Sequence, residues 1–194
     1  MNLPTRRLLP AALLGLALLT PLPGCAPLVV TGVGAGLQIV DDRRSAGVYL
    51  LDEEIELKAA ARHGDARLEG AHANFTSFNR RLLITGEAPT EEAKAKITEL
   101  AKGVANTREV INEMSVAAPS GFVSRSNDSY ITAKVKARFV DDNRFNAHHV
   151  KVVTENEVVY LMGVVRREEG DAAGEVASGT SGPSKVIKIF EYID

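Results

Sequence analysis

Side chains spaced to do chemistry are few in this chain. Tyr130, Lys134 and Arg138 recur at i, i+4 and i+8. On a helix they form one stripe, an aromatic ring ahead of two cations. Such a stripe suits the boundary between water and anionic headgroups, with the ring at the boundary and the cations on phosphate. It also suits the solvated flank of an ordinary packed helix, because charged stripes commonly face only water. The four histidines, His63, His72, His148 and His149, have no metal-ligand spacing to cysteine or carboxylate partners, so no metal site is expected. His148 and His149 adjoin at an expected strand start and would point to opposite faces. Asp141-Asp142 and Glu168-Glu169 read as a helix-end turn and a helix start, where carboxylates are ordinary. Neither G-x-S-x-G nor a P-loop occurs. The pattern is that of a non-enzyme with no catalytic residue and no cofactor.

The other chemically distinct residue is Cys25, the single cysteine. Alone, it can form no intramolecular disulfide. Arg6 and Arg7 precede an apolar run from Leu8 to Leu19, which is too short to span a bilayer. Leu22-Pro23-Gly24-Cys25 follows and resembles a bacterial lipobox, in which the cysteine is acylated and becomes the mature N-terminus. Pro23 departs from the small or β-branched residue usual there. The rival is ordinary secretory cleavage after Ala26, with Pro27 directly beyond the cut. In the lipobox reading, residues 1–24 are a lipoprotein signal peptide and Cys25 is the lipid anchor. Ala26 is not the aspartate of the inner-membrane retention rule, which implies the outer membrane, facing the periplasm.

A net charge of −2 argues against binding nucleic acid through bulk positive charge. Aromatics make up 5% and tryptophan is absent, so a large aromatic cage is not expected. Residues 25–47 read as a Gly-rich linker. Gly32, Gly34 and Gly36 lack dinucleotide-fingerprint spacing.

The elements that must position these residues come in two sets. In the first, residues 48–117, Asp52 is a candidate helix cap. Ala73–Phe78 and Arg81–Gly86 read as a hairpin around Asn79-Arg80. Thr90 caps a second helix ending near Gly103, and Val110–Val116 alternate as a third strand. Ala118-Pro119-Ser120-Gly121 opens a linker, residues 118–126. The second set, residues 127–194, repeats the order. Ile55–Ala61 matches Ile131–Ala137 at a shift of 76, and Leu82–Gly86 matches Val159–Gly163 at a shift of 77. Asn127 and Asp128 are its candidate caps. Its second helix contains Gly170 and Gly174, each costing about 1 kcal/mol relative to alanine in a helix interior. It is expected to be short or frayed.

The order helix-hairpin-helix-strand, given twice, resembles tandem BON domains. The carriers are Asp42-Arg43-Arg44 with Gly47, Ser126–Val135, Val153-Thr154-Glu155-Asn156, Leu161-Met162-Gly163 and Phe190-Glu191-Tyr192-Ile193. More narrowly, the chain is similar to the dual BON-domain outer-membrane lipoproteins associated with cell division and envelope stress. The resemblance implies an α+β fold of two α-β-β-α-β domains, each a three-stranded mixed sheet covered on one face by two helices. It also implies that the first helix of the second domain contacts anionic phospholipid, phosphatidylglycerol above all, with Tyr130 where the family has tryptophan. Tyr130, Lys134 and Arg138 become the expected phospholipid-binding residues. Partners would be the anionic membrane and outer-membrane assembly or cell-division proteins. The alternative is a chaperone-like or adaptor BON module induced by osmotic stress, with sheet edges or the Gly170–Gly182 region binding client chains.

Overall fold

The computed structural model describes residues 42–193. The signal segment, Cys25 and the Gly-rich run through Val40 lie outside the described residues. Helix α1 spans Ala46–Ala66 and begins at Ser45, whose hydroxyl accepts from the Val48 amide. Strands β1 (His72–Phe78) and β2 (Arg81–Ala88) form an antiparallel hairpin. Helix α2 (Glu91–Lys102) is capped by Thr90 as expected, its hydroxyl accepting from the Ala93 amide. Strand β3 (Glu109–Asn112) and a two-residue continuation, β4 (Ser115–Val116), run parallel to β2. The expected single strand is thus interrupted at Glu113-Met114.

The second unit repeats this order. Helix α3 spans Phe122–Asp141, β5 Val150–Glu155, β6 Val158–Val165, α4 Arg167–Ser178 and β7 Lys185–Tyr192. Strand β6 is central, antiparallel to β5 and parallel to β7. His148 and His149 sit in a 3-10 turn, Ala147–His149, not at the strand start.

Three expectations are corrected. Asp52 caps no helix, because it lies inside α1, buried. Its carboxylate accepts from the Asn79 and Arg80 amides at 2.9 and 2.7 Å, from Ser77 Oγ at 2.7 Å and from Arg44 at 2.8 Å. Asp128 does the same inside α3, accepting from the Asn156 and Glu157 amides at 3.0 and 2.8 Å. Both hairpin turns hold two residues at positive φ, Asn79-Arg80 and Asn156-Glu157. Such a turn points two amides at one acceptor, and a buried aspartate one helix turn inside supplies it. Secondly, α3 starts at Phe122, so most of the expected linker is helix.

Thirdly, α4 is a regular 12-residue helix. Gly170 and Gly174 are buried on it. A Cβ at Gly170 would lie 3.0 Å from the Phe190 and Tyr192 rings, and one at Gly174 would lie 3.0 Å from the Lys188 side chain. The glycines bring α4 close to β7, and the packing gained offsets their propensity cost.

Alternation along the central strands assigns the two sheet faces. Leu82, Ile84 and Ala88 face Ile55, Ala59, Ile97 and Ala101. Val159, Leu161 and Val165 face Ile131, Val135, Phe139, Ala173 and Ala177. The intervening residues meet across the units: Phe78 and Leu83 pack with Tyr160, Met162 and Ile189. Each sheet is therefore covered by its own helices on one side and by the other sheet on the second. Polar ties rim this seam. Lys151 reaches Glu56 at 2.8 Å, Arg81 reaches the Ile189 carbonyl at 3.1 Å, and Arg108 and Asn79 both bond Glu191.

Candidate functional site

Helix α3 is anchored from beneath by Ile131, Val135 and Phe139, which are fully buried. That fixes which residues face outward. Phe122, Val123, Tyr130 and Val140 are 78, 81, 62 and 73% exposed. Ala133 and Ala137 are exposed between them. At about 100° of rotation per residue, these six positions occupy roughly a third of the helix circumference. The outward face of α3 is thus a mainly apolar stripe, with Ser126 inside it and Asp141 at its C-terminal edge, rather than scattered single residues.

Cations line both margins. Lys134 and Arg138 lie on one side, Arg125 and Lys136 on the other. Among the described residues none of these four forms an ion pair with a carboxylate. Lys134 donates to the Ser181 carbonyl and hydroxyl, and Arg138 to the Gly179 carbonyl and Thr180 Oγ1. Both cations therefore lean onto the loop after α4 and fasten it to α3, rather than standing free in water. Their partners are neutral, so their charge is kept. The Lys134 ammonium is also 5.4 Å from the Tyr130 ring centroid.

Placing the helix start at Asn127 hid Phe122 and Val123, and Val140 fell at the expected end. The missed signal was periodicity: Phe122, Ser126, Tyr130, Ala133, Ala137 and Val140 continue one face. Lys136 and Val140 also border a cleft of about 530 Å³ whose other wall includes Asp42, Arg44, Tyr49 and Phe78. The Arg44 guanidinium stacks 3.9 Å from the Phe78 ring centroid and pairs with Asp42 and Asp52. Asp42, the first described residue, is thus carried to the side of α3. Burial pushes its carboxyl up, but the Arg44 hydrogen bonds and charge outweigh this and leave it below the ordinary aspartate value.

Two segments, residues 52–118 and 127–193, match the model of the BON domain. The chain is a tandem BON-domain protein. Its two BON domains are the two units described above, with α1 and α3 as their first helices. The chain is 38% identical over 176 residues to Outer membrane lipoprotein DolP of Haemophilus influenzae, covering 89% of this chain and 91% of that relative. It is 37% identical to the 21 kDa hemolysin of Actinobacillus pleuropneumoniae over 78% of this chain and 79% of that one. Osmotically-inducible protein Y of Escherichia coli is 24% identical over 80% of each chain. The extent of the first match makes this chain an outer-membrane lipoprotein of the BON family. No helix among the described residues is long and apolar enough to cross a membrane.

Proposed function

We propose that the second BON domain docks on anionic, phosphatidylglycerol-like phospholipid through α3 and so supports outer-membrane integrity as a binding protein without catalysis. The observation that carries this reading is the apolar stripe of α3 bordered by four cations that, among the described residues, pair with no carboxylate. Tyr130, Phe122 and Val123 would enter the interfacial region, and Lys134, Arg138, Lys136 and Arg125 would meet phosphate. Cleavage before Cys25 and acylation there would supply a second membrane signal, which together with α3 would orient the protein at the surface. Asp42 lies beside α3 across the cleft, so chain arriving from the anchor reaches the face assigned to lipid. A response to envelope stress is in keeping with the osmotically inducible relative.

The test uses chain beginning at Ala26, so that acylation contributes nothing. Co-sedimentation with phosphatidylglycerol vesicles should exceed that with zwitterionic vesicles and weaken with salt. Tyr130→Ala should reduce binding about tenfold, from the apolar area lost. Lys134→Gln and Arg138→Gln keep donors for the Gly179–Ser181 loop but remove charge, and each should cost about 1 kcal/mol. Binding indifferent to lipid charge and to all three changes would overturn the assignment. The search would then turn to assembly or division proteins as partners.

A further inference from the structure

The seam between the BON domains holds a group of ligating side chains that the lipid reading does not use. Glu87 on β2 and Glu155 at the end of β5 face each other across it, and His72 on β1 closes a third side. Their ligand atoms all lie within 4.8 Å of one another. Glu87 is 1% and Glu155 6% exposed. His72 Nδ1 lies 3.3 Å from Glu87 Oε2.

Neutral donors hold both carboxylates in place. Asn156 Nδ2 donates to Glu87 Oε1. Asn74 Nδ2 and Thr85 Oγ1 donate to Glu155 Oε2 at 2.8 and 3.1 Å. Among the described residues, no lysine or arginine pairs with either glutamate; the imidazole is the one ionisable partner at salt-bridge distance. Two carboxylates buried this close, with a ring nitrogen beside them, converge on a point that suits a positive centre. Asp52, by contrast, has Arg44. Burial pushes the Glu87 carboxyl up, but the Asn156 amide, the Ser120 backbone amide and His72 outweigh it and keep the group below the ordinary glutamate value.

We propose that His72, Glu87 and Glu155 bind one divalent transition-metal ion, Zn²⁺ by their chemistry, and so clip the two BON domains together. One imidazole nitrogen with two carboxylates is a donor set for a borderline ion; Mg²⁺ and Ca²⁺ favour oxygen alone. Asn74, Thr85 and Asn156 orient the ligands from behind, the role that outer hydrogen bonds play at zinc centres. The His72 side chain is 29% exposed, which gives the ion an entry path and leaves room for water as fourth ligand. Glu155 comes from the second domain and the other two from the first, so the site exists only when the domains are docked.

Isothermal titration of chelator-treated chain beginning at Ala26 with zinc chloride tests this, with magnesium chloride alongside. The expected result is one Zn²⁺ per chain, no magnesium uptake, and an unfolding midpoint that rises with zinc. His72→Ala and Glu155→Gln should each weaken zinc binding about a hundredfold. His148→Ala combined with His149→Ala, removing imidazoles outside the His72, Glu87 and Glu155 cluster, should leave it unchanged. Far-UV circular dichroism without metal shows that each variant is folded, and His72→Ala tests the site from its exposed edge should Glu155→Gln loosen the seam. No zinc uptake by the wild type, or uptake that survives both His72→Ala and Glu155→Gln, overturns the proposal.

Discussion

The first helices of the two BON domains, α1 and α3, share an inner face and differ in an outer one. Residues 76 apart correspond. Inside, Asp52, Ile55 and Ala59 match Asp128, Ile131 and Val135, all buried. Outside, both helices show apolar side chains, since α1 exposes Leu50 and Leu57. What differs is the charge beside them. Helix α1 has Glu53 and Glu54 where α3 has Ser129 and Tyr130, and Glu54 pairs with Lys58 where Tyr130 stands against Lys134. Exposed apolar surface alone does not set α3 apart; its four cations without a carboxylate partner among the described residues do, where α1 has Arg62 in that state and Lys58 paired with Glu54. The inner face maintains the fold in both copies, which leaves the outer faces free to differ.

The largest effect should come from the shared inner face. Asp52→Ala removes the acceptor for two turn amides and leaves Arg44 without one of its carboxylates. Breaking a buried pair costs about 3–5 kcal/mol. Asp128→Ala removes the acceptor for the corresponding two turn amides with no arginine attached, and should cost about 1–3 kcal/mol. Urea unfolding of the full mature chain measures both. Equal losses would mean that Arg44 adds nothing and that the two staples are energetically alike.

The outer faces are compared by exchange. Installing the acids of α1 in α3, as Ser129→Glu with Tyr130→Glu, adds two repulsive charges and removes a ring. Together these should weaken binding to phosphatidylglycerol vesicles by about 3 kcal/mol, roughly a hundredfold. The reverse exchange in α1, Glu53→Ser with Glu54→Tyr, should raise binding by less, about tenfold. Helix α1 still has Ala46 and Gly47 where α3 presents Phe122 and Val123. No loss in the first variant would show that α3 is not the membrane face.

Much of the domain architecture was legible, and for physical reasons. Thr90, the Asn79-Arg80 turn and the 3.6-residue period of α2 are local signals, and each appears where expected. The duplication exposed itself through a near-constant shift. Long-range facts were hidden. Asp52 and Asp128 look like caps because aspartate before an apolar period usually is one; their partners lie 27 to 29 residues away. Gly170 and Gly174 read as helix breakers until the Phe190 and Tyr192 rings and the Lys188 side chain of β7 supply the reason for their small size. His72, Glu87 and Glu155 have no metal spacing in sequence because the seam between domains brings them together. The stripe of α3 was seen in part: Tyr130, Lys134 and Arg138 were found, but the lean of both cations onto the Gly179–Ser181 loop was not.

The second helices of the two domains extend the comparison with a smaller effect. Glu169 in the first turn of α4 corresponds to Glu92 in α2, 77 residues earlier. Glu169 accepts two hydrogen bonds from Arg43, at 2.6 and 2.7 Å, and one from the Arg166 amide at 2.7 Å. The Arg43 hydrogen bonds, working against burial and aided by the Arg166 amide, hold its carboxyl down at about 2. Glu92, exposed and without an arginine, is lowered mainly by its own amide and Thr90. A depressed folded-state pKa stabilises above the unfolded value, near 4.5, and this stabilisation fades as pH falls toward 2. The stability difference between wild type and Glu169→Gln should therefore be constant from neutral pH to about 5 and shrink steadily below it. Glu92→Gln should show a smaller difference over the same window. Denaturant midpoints measured from pH 7 downward read both. If the two variants proved equal, Arg43 would be no strap between the segment preceding α1 and the second domain, and that domain would be held to the first through the seam.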